Sequence, residues 1–108
     1  MQSFAPISGQ IWVQNYRFKD PRGQQGDRSL SGSWRRVARA LAVAEVDSKN
    51  WEEKFHQAMD GFQFLPAGRI LTGAGTERSV TLFNCFVMGT IEDDMSGIFS
   101  ALREAALT

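Results

Sequence analysis

The chain has 108 residues, the usual size of one domain, which is enough for a modest hydrophobic core. Its 12 basic and 12 acidic residues cancel, so no overall electrostatic field attracts a nucleic acid backbone or an anionic membrane. No run approaches the roughly 20 apolar residues of a membrane span, and the N-terminus has no basic and apolar regions of a signal peptide. One cysteine and no export signal indicate a cytoplasmic, reducing compartment.

Residues 1–32 are expected to form an irregular N-terminal arm. Gly, Ser, Gln, Asp and Arg dominate there among scattered aromatic residues, and no helical period is sustained. For residues 11–18 a turn of helix and a short strand are both open, and Asp20 and Pro21 begin a predicted turn. We expect residues 23–33 to be mobile.

Residues 33–108 are expected to form a mainly helical domain with one or two short strands. Apolar residues recur at spacings of three and four over residues 33–46, 50–61 and 94–107, which predicts three amphipathic helices. Ser33 is the expected N-cap of the first helix. Asp47, Ser48 or Asn50 can cap the second, and Asn50 with Glu53 has the spacing of a capping box. Gly61 is a plausible end for the second helix. The expected core consists of the large apolar side chains Trp34, Trp51, Phe55 and Phe62.

The polar residues of these helices offer few candidates for binding. Arg35, Arg36 and Arg39 share one side of the first predicted helix. Such a triplet is found at phosphate sites, but a solvated helix face is its more common cause. The single histidine, His56, has no cysteine or second histidine with which to share a metal, so we predict a solvated side chain and no metal site.

The segment after the second predicted helix is the most unusual part of the chain. Three glycines in residues 68–75 permit close ligand approach, yet the spacing is neither that of a Walker loop nor that of a dinucleotide fingerprint. The apolar run over residues 80–88 predicts a buried strand through residues 82–87. By residue type alone its cysteine, Cys85, is more often an inert core thiol than a reactive one. Redox chemistry would need a second thiol from elsewhere, because the chain has only one.

This part of the chain resembles a known enzyme family. The runs FLPAGRILTGAGT, TLFNCFVMGTIEDDMSGIF and LREAALT are similar to the N-terminal part of the adenosylcobalamin-dependent (class II) ribonucleotide reductases, and PISGQIW, NYRFKD and SWRRVARALA are similar to that family's opening. The resemblance implies a mainly α fold with a short β element. It places a helical N-terminal region before the first strand of a truncated α/β barrel.

The resemblance also implies roles near the substrate. Cys85 corresponds to one of the two cysteines that deliver electrons to the ribose and then close a disulfide. Asn84 corresponds to a position near the substrate phosphates, and Leu65 and Pro66 correspond to backbone near the substrate. Cys85 is therefore the expected catalytic residue of this chain.

A second implied site lies at the start of the last predicted helix. Asp93, Asp94 and Met95 correspond to the turn where a deoxynucleoside triphosphate effector binds beside a helix that pairs with its twin in a dimer. The family more usually has Ser at the position of Asp94. An added carboxylate would repel a triphosphate unless a cation intervenes.

The family's radical-bearing cysteine, second redox cysteine and cobalamin-contacting surface correspond to positions after residue 108. We therefore expect an N-terminal fragment or split subunit of the reductase, inactive alone, that joins a larger reductase chain and contributes to nucleotide binding. Adenosylcobalamin is expected in the full enzyme and no cofactor in this chain alone. The alternative is a non-catalytic dimerising or regulatory module derived from that enzyme. In both cases the exposed apolar stripe of the last helix predicts a homo-oligomer.

Overall fold

The computed structural model describes residues 5–23 and 26–108. Within these ranges the chain is helical and contains no strand. A short π-helical turn, Trp12–Tyr16, continues the first helix directly. The α-helices are α1 (Pro6–Ile11), α2 (Leu30–Ala42), α3 (Ser48–Asp60), α4 (Gly68–Gly73) and α5 (Met95–Leu107).

The hydrophobic core lies where α2 packs on α3 and α4. Trp34, Val37 and Ala38 lie three and four residues apart on α2 and are almost fully buried, which confirms the predicted apolar stripe. Met59 from α3 and Ala74 from the end of α4 complete the buried cluster. Partly buried side chains surround it: Leu30, Ala40, Leu41, Phe55, Ile70, Leu71 and Leu82.

The first described residues form more regular structure than the sequence suggested. Pro6 is the first residue of α1, where its missing N–H costs no hydrogen bond. The π-helical turn then places the indole of Trp12 against α2, where its Nε1 donates to the hydroxyl of Ser33 at 2.8 Å. Of the tract expected to be mobile, residues 24 and 25 lie outside the described residues, and Asp27 is buried.

The boundaries of α2 differ from those predicted. Ser29, and not Ser33, is the N-cap, because its hydroxyl accepts from the N–H of Gly32 at 3.1 Å. Ser33 lies inside the first turn and is buried by the arm. The helix ends at Ala42, four residues before the predicted end, and Val43 and Val46 are exposed in the following turn.

Helix α3 also begins before its predicted start. Its N-cap is Asp47, so Asn50 lies within the helix and the predicted capping box is wrong. The carboxylate of Glu53 instead accepts from Arg35 on α2 at 2.6 Å. The helix ends at Gly61 as predicted, where the Gly61 N–H donates to the carbonyl of Gln57 at 3.0 Å.

Two of the four predicted core aromatics lie at the edge of the core. Trp51 is 37% exposed, with its ring 5.7 Å from that of Phe55 and the ammonium of Lys54 4.6 Å from its centre. Phe62 is 38% exposed and packs edge-to-face on Trp34 at 6.3 Å. Of the four predicted core aromatics, only Trp34 is buried.

The predicted strand through residues 82–87 is wrong for the described chain. These residues form no β-ladder with another strand. The side chains of Phe83 and Val87 are 74% and 102% exposed. A strand is stabilised by hydrogen bonds to a neighbouring strand, and the described residues contain no strand to pair with it. Only the start of this run is anchored, through Leu82 on the core. The first strand of a barrel is likewise not observed.

Helix α5 begins at Met95, with Asp94 as its N-cap, and contains no buried residue. Its apolar side chains Ile98, Phe99 and Leu102 are 49% to 62% exposed. The radius of gyration is 17.9 Å, against about 13 Å for a compact domain of this length. The chain thus consists of a packed helical body, residues 5–23 and 26–76, and an exposed C-terminal segment, residues 77–108. No described helix is long and apolar enough to cross a membrane.

Candidate functional site

A buried ion pair lies between the arm and α2. The side chains of Asp27 and Arg36 are 3% and 8% exposed, and Arg36 Nη2 lies 3.0 Å from Asp27 Oδ2. The same carboxylate accepts from the hydroxyl of Ser33 at 2.6 Å and from the N–H of Phe18 at 3.0 Å. Arg17 donates to the Asp27 carbonyl at 2.8 Å. The whole cluster is satisfied, as a buried charge requires.

These contacts change the acidity of Asp27. Burial by itself raises the pKa of a carboxyl group, because it disfavours the charged form. The hydrogen bonds from Arg36, Ser33 and the Phe18 N–H, together with the charge of Arg36, outweigh burial and hold the pKa of Asp27 below its ordinary value. Asp27 is therefore an anion in the folded chain at neutral pH.

Arg36 also binds the end of α4. Its Nη1 donates to the carbonyl of Ala74 at 2.6 Å, and its Nη2 donates to the carbonyl of Leu71 at 2.7 Å. The last carbonyls of a helix have no partners within the helix, so the guanidinium acts as a C-terminal cap. One side chain thus joins the arm, α2 and α4.

The chain after α4 packs closely against this pair. Gly75 has φ +72°, and a methyl group added there would lie 3.0 Å from both Cγ and the carbonyl oxygen of Arg36. A methyl group on Gly73 would lie 2.7 Å from the side chain of Val80. Two of the three glycines in this segment are therefore required by close packing and backbone geometry.

The predicted catalytic residue lies beyond this contact. Cys85 is exposed and unpaired in the C-terminal segment, so it is not the core thiol that its residue type favours. Asn84 beside it is also exposed. Both follow Leu82, which packs on the core, by two and three residues.

The predicted substrate residues Leu65 and Pro66 precede α4 in the chain, whereas Cys85 follows it. Pro66 is buried, whereas Leu65 is 59% exposed. Leu65 lines an apolar groove of about 290 Å³ with the aromatic rings of Trp12, Tyr16 and Trp34 among its walls. In the described chain no hydrogen bond or ion pair joins Leu65 or Pro66 to Cys85.

The predicted effector residues lie at the start of α5. The Asp94 carboxylate accepts from the N–H of Gly97 at 2.5 Å and so occupies a donor that an anionic ligand would use. Asp93 and Met95 are exposed, Met95 by 72%. The three residues are adjacent, but no other described helix packs on them.

The remaining polar candidates have structural partners. Arg35 pairs with Glu53 at 2.6 Å, and Arg39 lies 3.6 Å from Glu52, so both belong to the polar surface between α2 and α3. His56 Nε2 lies 3.2 Å from the Ser31 hydroxyl and is half-buried. No group of three or more His, Cys, Asp or Glu side chains in residues 5–23 and 26–108 is placed to hold a metal.

Asp27 and Arg36 are the residues that the sequence did not indicate. The sequence predicts a solvated face for Arg35, Arg36 and Arg39. The prediction agrees with the exposed ion pair of Arg35, but the side chain of Arg36 is buried. The apolar stripe gives no signal for Arg36, because residues one and two positions apart on a helix do not share a face. Nothing in the spacing of Asp27 pointed to its burial.

Comparisons with known proteins agree with this all-helical body. Residues 2–79 match the family of the ribonucleotide reductase all-alpha domain. The chain belongs to the ribonucleotide reductase family.

The chain is also similar to the vitamin B12-dependent ribonucleoside-diphosphate reductase of Mycobacterium tuberculosis, strains CDC 1551 / Oshkosh and ATCC 25618 / H37Rv. Each is 33% identical over 98 residues, which are 86% of this chain and 14% of the relative. The chain thus spans about a seventh of the length of these curated relatives. No solved structure matches the chain.

Proposed function

We propose that this chain acts as the N-terminal region of an adenosylcobalamin-dependent ribonucleotide reductase and supplies Cys85 as one of the two thiols that reduce the ribose. The observation that carries the proposal is the exposure of Cys85 just beyond the packed helical body. A redox thiol must reach both a substrate and a second thiol, which a buried core cysteine cannot do.

The chemistry requires a second polypeptide segment. When the ribose loses its 2′-hydroxyl as water, two thiols supply two electrons and two protons, and their sulfurs are left joined as a disulfide. This chain has one cysteine, so the second sulfur comes from outside its 108 residues. An external dithiol then reduces the disulfide and restores both thiols for the next turnover.

We assign the cofactor to that other polypeptide. Adenosylcobalamin supplies the radical that starts such a reaction. We assign no role toward the cofactor to the one histidine, His56, whose Nε2 lies 3.2 Å from the Ser31 hydroxyl. The role left to this chain is to present Cys85 and Asn84 beside the substrate, with the backbone of Leu65 and Pro66 also near the substrate.

An effector at Asp93, Asp94 and Met95 would have to bind beside a carboxylate. The Asp94 carboxylate already caps α5, so a triphosphate would have to share the helix N-terminus with an anion. We propose that a divalent cation accompanies any effector bound here.

Reconstitution tests the catalytic proposal. The chain is mixed with a polypeptide carrying the remainder of the reductase, adenosylcobalamin, a dithiol and a ribonucleotide, and deoxyribonucleotide is measured. We expect product from the mixture and none from this chain alone. Cys85→Ser should reduce dithiol-dependent turnover by at least 100-fold, because a hydroxyl cannot close the disulfide.

A matched control is Ser79→Ala, which removes an exposed hydroxyl from the same segment and should leave turnover unchanged. Full multiple-turnover activity of Cys85→Ser would overturn the redox role. Product from this chain alone would overturn the requirement for a second thiol.

A non-catalytic dimerising module is the second candidate, and the exposed apolar face of α5 favours it. Under this proposal Phe99→Glu should convert a self-associating chain to a monomer in light scattering, whereas Arg103→Glu, on the same helix, should not. A wild-type chain that is monomeric at high micromolar concentration would exclude this candidate.

A further inference from the structure

Asp27 and Arg36 lie at the start of a continuous series of contacts that ends near Cys85. The guanidinium of Arg36 connects the Asp27 carboxylate to the carbonyls of Leu71 and Ala74, at 2.7 and 2.6 Å. Both side chains are more than nine-tenths buried. The pair therefore fixes the end of α4 relative to the arm and α2.

The next contacts lead from α4 into the C-terminal segment. The backbone of Gly75 lies directly against Arg36, and the side chain of Val80 lies against Gly73. Leu82 then packs on the core. These contacts fix the direction in which the chain leaves the helical body, three residues before Cys85.

We propose that the Asp27–Arg36 pair is a positioning device, which sets where the segment carrying Asn84 and Cys85 departs from the helical body. The inference rests on the proposed function in one respect: the placement of Cys85 has consequences only if its thiol reacts. Asp27 and Arg36 touch neither substrate nor thiol and are positioning residues.

The choice of arginine supports positioning over simple stabilisation. A buried ion pair is often no more stabilising than apolar residues of the same volume, because both charges lose their hydration. A guanidinium, however, holds five N–H donors in one rigid plane. Arg36 uses that plane to bind one carboxylate and two carbonyls at fixed angles, which a lysine ammonium on a flexible stem cannot reproduce.

The distance between the helical body and Cys85 tests the proposal. One spin label is attached to Cys85, the only native thiol, and a second to Lys49→Cys on the exposed start of α3. Pulsed electron resonance then measures the distribution of distances between them in the full chain. We expect Arg36→Lys to at least double the width of that distribution, whereas Arg35→Lys should leave it unchanged.

A second control separates positioning from lost stability. Val37→Ala removes buried methyl groups from the same helix without touching the pair, so it should lower the melting temperature and leave the width unchanged. An unchanged width in Arg36→Lys would overturn the proposal. Equal broadening in Val37→Ala would overturn it as well, since the pair would then act only through stability.

Gly75→Ala provides an independent route if Arg36→Lys does not fold. This variant keeps both charges but places a methyl group against Arg36, at a backbone position that disfavours a side chain. We expect the same broadening, and an unchanged width would contradict the proposal. No turnover is measured, so failure here is distinct from failure of the catalytic proposal, which depends on Cys85→Ser.

Discussion

The helical body and the C-terminal segment are both rich in apolar residues, but they use them in opposite ways. In the body, Trp34, Val37 and Ala38 are buried against α3 and α4. In the segment, Phe83, Val87 and Phe99 are 58% to 102% exposed. An exposed apolar helix face, such as Ile98, Phe99 and Leu102 form on α5, usually marks an interaction site. The body is thus a folded scaffold that includes Leu65 and Pro66, and the segment carries Asn84, Cys85 and the apolar face proposed to meet a partner.

The largest predicted effect is the loss of stability when a large side chain is removed from the helical body, compared with the same change in the C-terminal segment. Trp34→Ala should lower the free energy of unfolding by about 3–5 kcal/mol, because it leaves a cavity in the core. Phe99→Ala, on the exposed face of α5, should change it by less than about 0.5 kcal/mol. Urea unfolding followed by circular dichroism measures both variants. Equal losses would show that the two regions share one core.

The second effect distinguishes two neighbouring arginines. Arg36→Gln should cost about 3 kcal/mol, because it leaves the Asp27 carboxylate buried without its cation. Arg35→Gln removes a more exposed pair with Glu53 and should cost at most about 1 kcal/mol. The melting temperatures of the two variants, measured by thermal unfolding at the same protein concentration, give the comparison. Similar melting temperatures would contradict the burial of the Asp27–Arg36 pair.

The helices could be predicted from the sequence, whereas the buried Asp27–Arg36 pair could not. The stripe of α2 was predictable because Trp34, Val37 and Ala38 repeat with the helical period. Residues with this spacing lie on one face of the helix, and that face forms the core. The Asp27–Arg36 pair was not predictable, because its partners are nine residues apart across a loop and carry no periodic signal. Burial of Arg36 depends on the arm folding over α2, which spacing does not encode.

The predicted strand shows a different limit. The apolar run around Cys85 has the length and β-branched content of a strand, but those properties describe only one side of a ladder. Whether a ladder forms depends on a neighbouring strand, and the described chain has none. Likewise, Trp51 lies on the predicted stripe of α3 and is still 37% exposed, because a stripe does not specify which side chains of a neighbouring helix cover it.

A smaller effect concerns acid stability. The folded-state pKa of Asp27 lies below its ordinary value, so the pair stabilises the fold fully above that ordinary value. As the pH falls below about 4, the unfolded chain binds a proton at Asp27 before the folded chain does, and this stabilisation is lost. Asp27→Asn should be less stable than the wild type at pH 7, and the difference should shrink towards pH 2. Thermal unfolding across this range measures it, and a constant difference would contradict the lowered pKa.

The central claim is that Cys85 is one of the two thiols oxidised during ribonucleotide reduction, and the most direct test is to find its disulfide. The reconstituted complex is allowed one turnover without external dithiol, alkylated, and digested for mass spectrometry without reduction. We expect the Cys85 peptide to be disulfide-linked to a cysteine of the polypeptide that carries the remainder of the reductase. The amount of this linked peptide should be proportional to the deoxyribonucleotide formed. Product formation with Cys85 recovered entirely as the alkylated free thiol would contradict it.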